Sequence, residues 1–142
     1  MKVELKHQNG FHSFISNDRG HSISIDNTSS ENPQGPSPME LLLMGVAGCS
    51  SIDIISILNK QKIKPDSLQI HVEGDRLEGQ VPSLFTAIHA KVIVTGDVPA
   101  DRLFRAAQLS FEKYCSVSKT LEHTAAITFS VTVNDTLHNK LQ

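Results

Sequence analysis

The stretch LLLMGVAGCSSIDIISIL, residues 41–58, constrains this chain more than any other. Read as a helix, it carries apolar side chains at nearly every angular position: Leu41, Leu42, Leu43, Met44, Val46, Ala47, Ile52, Ile54, Ile55, Ile57 and Leu58. A helix apolar on all sides must be covered on all sides. A chain of 142 residues with little other helix has too little left over for that cover. A second subunit is therefore expected to wrap it, with Gly45, Ala47 and Gly48 allowing another backbone to come close.

The helix start is well marked. Ser37 is placed to cap it, Pro38 fits its first turn, and Glu40 stands where a capping-box carboxylate reaches back and suits the positive dipole end. Glu40, Asp53 and three serines argue against a bilayer span. LLLMGVAGC resembles a lipoprotein cleavage box, but 40 residues with strand-like alternation precede it where a short basic segment should stand. The cytoplasm is the expected compartment.

Composition narrows the function classes. A net charge of −2 without basic or acidic runs points away from nucleic acid. Two cysteines are too few for a disulfide scaffold, which leaves free or redox-active thiols. One tyrosine and no tryptophan disfavour an aromatic cage.

The remaining pattern predicts an α+β fold in a single domain over 1–142. KVELKH, FHSFIS and HSISID alternate around Asn9-Gly10 and Asn17-Asp18-Arg19-Gly20, which predicts a three-stranded meander within 1–26. NTSSENPQGPS (27–37) reads as a loop, and the central helix covers 38–60. Residues 68–142 follow as β-β-α-α-β. LQIHVEGDR and FTAIHAKVIVTG are strands, DVPADRLFRAAQLSFEKY and CSVSKTLEH are helical, and AITFSVTVN is the last strand.

The two cysteines differ in setting. Cys49 lies in the apolar helix, where a small buried hydrophobe is the bland reading. Asp53, one turn on, would raise its pKa if close, so a reactive Cys49 needs a cation from elsewhere; Arg19 and Arg76 are the candidates. Cys115 falls at a seam between helices. There, helix-start amides and Lys113 and Lys119 are expected to favour its thiolate, and Ser116 or Ser118 to cap. Cys49, Cys115 and His123 form no C-x-x-C or H-x₃-H spacing, so no metal and no cofactor is expected.

SPMELLLMGVAGCSSIDI (37–54) followed by KYCSVSKTL (113–121) resembles the OsmC/Ohr superfamily, and the order of elements matches it over nearly the whole chain. The resemblance implies an intertwined homodimer, with long buried central helices and antiparallel sheets built from both chains, and sites at the subunit interface. It implies reduction of organic hydroperoxides by a peroxidatic Cys49, resolution by Cys115, and resetting by an external dithiol reductant. An arginine held by a glutamate assists in the family. Here Met39 occupies the glutamate position and Glu40 is its neighbour, about 100° around the helix. Arg19 stands in the N-terminal turn region of the peroxidase arginine, and Arg76 resembles a feature of a less characterised branch. The site residues so implied are Cys49, Cys115, Arg19, Arg76 and Glu40. The alternatives are a small-molecule-binding or redox-sensing protein, and a structural dimer module. Neither a nucleic acid nor a membrane is expected as partner.

Overall fold

The computed structural model describes residues 1–139, and the chain divides into two compact units, 1–42 and 43–142. In the first, β1 (Val3–Asn9), β2 (His12–Asn17) and β3 (Ser22–Ile25) pair antiparallel in sequence order. Gly10 and Gly20 supply the positive φ their turns need, at +53° and +85°. The loop that follows is pinned by buried Asp26, whose carboxylate accepts from the amides of Asn27 (2.7 Å) and Gln34 (3.0 Å). Those two bonds hold its carboxyl below the usual carboxylate range.

Helix α1 (Pro38–Lys60) begins on a reciprocal capping box. The Ser37 amide donates to Glu40 Oε2 at 2.7 Å, and the Glu40 amide donates to Ser37 Oγ at 3.2 Å.

The second unit is built on a four-stranded sheet in the order β4-β5-β6-β7. Its strands are β4 (Ser67–Arg76), β5 (Phe85–Thr95), β6 (Ala126–Val133) and β7 (Thr136–His138). The sheet is not wholly antiparallel as expected. Strands β5 and β6 run parallel, from Ala87 opposite Ala126 to Val94 opposite Val133. Parallel neighbours need a crossover rather than a hairpin. Helix α2 (Ala100–Leu109), a π-helical segment (Ser110–Tyr114) and helix α3 (Ser116–Leu121) provide it.

Two elements are additions to the expected order. One is β7, reached through Asn134 and Asp135 at φ +46° and +66°. The other is the π-helical segment, closed by the Cys115 amide donating to the Ser110 carbonyl at 2.8 Å.

The core of this unit packs Val46, Ile54 and Leu58 of α1 with Ala90, Val92 and Val94 of β5, Leu103, Ala106 and Ala107 of α2, and Val131 of β6. Within α1 the buried residues are Val46, Ser50, Ile54 and Leu58, spaced four apart on one face. The chain does not cover the helix all round: Ile52 is 70% exposed, Met44 54% and Ile55 43%. Of the small residues, Gly45 faces Val117 of the same chain, with room for a Cβ only 3.4 Å from that side chain. Nothing lies within 4 Å of a Cβ placed on Gly48.

Candidate functional site

Three elements converge on one point. Cys49 and Asp53 stand four residues apart on α1, which puts them on one face a turn apart. Cys115 lies at the break between the π-helical segment and α3. The two sulfurs and a carboxylate oxygen of Asp53 all lie within 4.8 Å of one another. The π-helical turn explains how this arises. Its wider ring ends the α2 run, carries Ser110 toward α1 and leaves Cys115 extended (φ −68°, ψ 100°) to open the next helix. The Ser110 hydroxyl then donates to Asp53 Oδ2 at 2.9 Å.

Cys115 itself caps α3. The Ser118 amide donates to its sulfur at 3.4 Å and the Ser118 hydroxyl at 3.1 Å. The expected cap residues, Ser116 and Ser118, are thus corrected: Ser118 donates, and the thiol is the acceptor. A second correction concerns its acidity. Cys115 is fully buried, whereas Cys49 is partly exposed. Burial pushes the Cys115 thiol above its ordinary value of 9.0; the two Ser118 bonds pull it back in part, and the adjacent Cys49 sulfur pushes it up again. A helix start alone therefore does not give a low pKa here. The expected helpers are engaged elsewhere as well: Lys119 pairs with Glu122 at 2.7 Å, and Lys113 lies over the Tyr114 ring.

A pH dependence follows, because the folded chain holds the Cys115 proton more tightly than the unfolded chain. Its contribution is full below the ordinary thiol pKa and is lost as pH rises through the folded value. The reduced protein should lose stability above about pH 9 by this route. Urea denaturation of wild type and Cys115→Ser across that interval isolates it. An equal slope in both proteins would contradict the assignment.

Asp53 also borders a cavity of about 590 Å³ shared with Ser56, Ile57, Lys60, Leu109 and Tyr114. Gln61 lines it too, and among the described residues its buried Oε1 has no hydrogen-bond partner. Its walls are mixed, with Ile57, Leu109 and the Tyr114 ring beside Asp53, Ser56 and Gln61, and Lys60 at the end of α1 is the one cation among them.

Of the other expected site residues, Glu40 forms the capping box, which holds its carboxyl below the usual range. Arg19 sits in the β2–β3 turn, its amide donating to Asn17 Oδ1 at 3.0 Å. Arg76 ends β4, and its guanidinium donates twice to the Ser83 carbonyl, at 3.1 and 2.9 Å. The second unit thus joins Cys49 and Cys115, and adds Asp53, Ser110 and Ser118. Cys-x₃-Asp spacing in a helix signals the Asp53 pairing. Nothing in the sequence signals Ser110.

The OsmC-like protein family model matches residues 30–130. Protein YhfA of Escherichia coli K12 is 43% identical over 115 residues, which is 80% of this chain and 84% of that protein. A hypothetical protein from Aquifex aeolicus VF5 has a solved structure with a TM-score of 0.79 and 29% identity, over 94% of this chain and 96% of that one. An organic hydroperoxide resistance protein, OsmC, from Legionella pneumophila has a TM-score of 0.69 over 94% and 98% of the two chains. At 18% identity, that likeness concerns the fold.

Proposed function

Because the chain belongs to the OsmC-like protein family, we propose that it is a thiol-dependent peroxidase that reduces organic hydroperoxides. The observation that carries this reading is the pair of sulfurs within 4.8 Å, one accessible and one buried. Cys49 is the peroxidatic residue. Its thiolate attacks the terminal, hydroxyl-bearing oxygen of ROOH, the O–O bond breaks, and Cys49 becomes a sulfenic acid while RO⁻ leaves and takes a proton from solvent as ROH. Cys115, kept protonated by burial, gives up its proton as it attacks the sulfenic sulfur; a Cys49–Cys115 disulfide forms and water leaves. An external dithiol then exchanges with that disulfide, restoring both thiols and becoming oxidised itself.

The sulfurs must close to about 2.05 Å for this step. Cys115 sits at an extended residue between two short helical pieces, so a small local shift suffices. Asp53 gains a structural part: Ser110 fixes its carboxylate beside the thiols, and it also lines the neighbouring cavity. Arg19 and Arg76 are proposed as sources of positive charge for the leaving alkoxide, and Glu40 as a partner to such an arginine. The Arg76 guanidinium is bound to the Ser83 carbonyl, which favours a supply of positive charge from a second copy of the chain.

That second copy is the proposed partner. On α1, Met44, Gly48, Ile52 and Ile55 fall within about 80° of arc at 100° per residue, facing away from the buried stripe. Cys49 and Asp53 flank that stripe, where an arriving subunit would border them. By length and mean hydropathy (2.0) α1 is also apolar enough to cross a membrane. A homodimer accounts for the same apolar surface without a membrane, and the cytoplasm is the proposed compartment.

The test is a steady-state assay with cumene hydroperoxide and hydrogen peroxide, using dithiothreitol and dihydrolipoamide as reductants. Turnover with preference for the organic substrate by about tenfold or more is expected, the scale that buried apolar groups supply. No consumption with any dithiol would overturn the reading.

A further inference from the structure

We propose that Cys49, Asp53 and Cys115 form a binding site for a thiophilic divalent cation, with zinc as the ion their chemistry fits best. The inference rests on the donor geometry and stands whether or not the chain turns over peroxide. The spacing rules that argued against a metal look for ligands close together in sequence. Here two come from one turn of α1 and the third from a residue 66 positions beyond Cys49, brought in by the fold.

The distances suit a tetrahedral centre. Bonds of about 2.3 Å to sulfur and 2.1 Å to oxygen set ligand separations of about 3.8 Å (S···S) and 3.6 Å (S···O). The three donor atoms already lie within 4.8 Å of each other, so closing onto an ion asks for shifts of about 1 Å or less. The surrounding bonds are those a metal site needs. Ser110 donates to one oxygen of Asp53, the other accepting no hydrogen bond among the described residues, and Ser118 donates twice to the Cys115 sulfur.

Charge favours the same conclusion. On binding, both thiols release their protons to solvent, and two thiolates with one carboxylate face the dication. Two soft sulfur donors select zinc over magnesium or calcium. Three protein ligands leave a fourth position for water or an external thiolate. While the ion is bound, both sulfurs are held as ligands, so metal loading and disulfide formation exclude each other.

The experiment is a Co²⁺ titration of the fully reduced chain, followed by displacement with Zn²⁺ and competition against a chelator. The expected result is a thiolate-to-cobalt charge-transfer band that saturates at one ion per chain and vanishes as Zn²⁺ replaces it. Asp53→Asn should weaken Zn²⁺ binding by about tenfold or more. Wild-type chain oxidised with diamide, its two free thiols shown to be lost, should not bind; this arm needs no substitution. No charge-transfer band from the reduced wild type, or Zn²⁺ affinity unchanged by diamide oxidation or by Asp53→Asn, would overturn the site.

Discussion

Cys49→Ser is expected to stop organic hydroperoxide consumption, with a fall on the order of 10³-fold or more, because the oxygen nucleophile left behind cannot form the sulfenic acid. Cys115→Ser should behave differently. It should release one equivalent of alcohol per chain and then stall, with Cys49 left as a sulfenic acid that dimedone traps. The asymmetry comes from exposure: the partly exposed sulfur meets substrate, and the fully buried one waits behind it. Full activity in Cys49→Ser would exclude the mechanism. Equal and complete loss in both variants, without a burst from Cys115→Ser, would exclude the division of labour between them.

The second large effect concerns assembly. Ile52→Glu should convert dimers into single chains. Ile52 is 70% exposed in the isolated chain, the most exposed of the large side chains in the stripe it shares with Met44, Gly48 and Ile55. Placing an unpaired carboxylate within an apolar contact costs several kcal/mol, enough to weaken association by about a hundredfold or more. Because the buried face of α1 carries Val46, Ile54 and Leu58 instead, the fold of the individual chain should survive. Analytical ultracentrifugation at micromolar protein reads the change. Wild type sedimenting only as single chains would remove the partner from the account, and with it the proposed supply of an arginine.

Much of this was legible from local chemistry. The capping box at Ser37 and Glu40, the Asn-Gly and Asn-Asp-Arg-Gly turns, and the apolar run of α1 each announce themselves within a few residues. The apolar face of α1 left exposed at Met44, Ile52 and Ile55 also follows from the all-round apolar run and the small size of the chain.

What escaped depends on tertiary choices. The parallel pairing of β5 with β6 has no signature in either strand, since both directions accept the same alternation. Strand β7 is three residues long, too short for periodicity, although Asn134-Asp135 before it is a hairpin-forming pair. The π-helical turn is one extra residue in a helical ring, and it sets both the Ser110–Asp53 bond and the position of Cys115. The place of Cys115 at a helix start predicts an acidic thiol, whereas burial raises its pKa. A residue's neighbours in sequence do not reveal how dry its surroundings are.

Adding one equivalent of cumene hydroperoxide to the reduced protein, then digesting without reductant and weighing the peptides, tests the sulfur pair most directly. The account predicts a single new species in which the peptide bearing Cys49 is joined to that bearing Cys115 within one chain, two hydrogens lighter than the sum. Recovery of both peptides as free thiols, or of Cys49 as a sulfinic acid with Cys115 untouched, would contradict it.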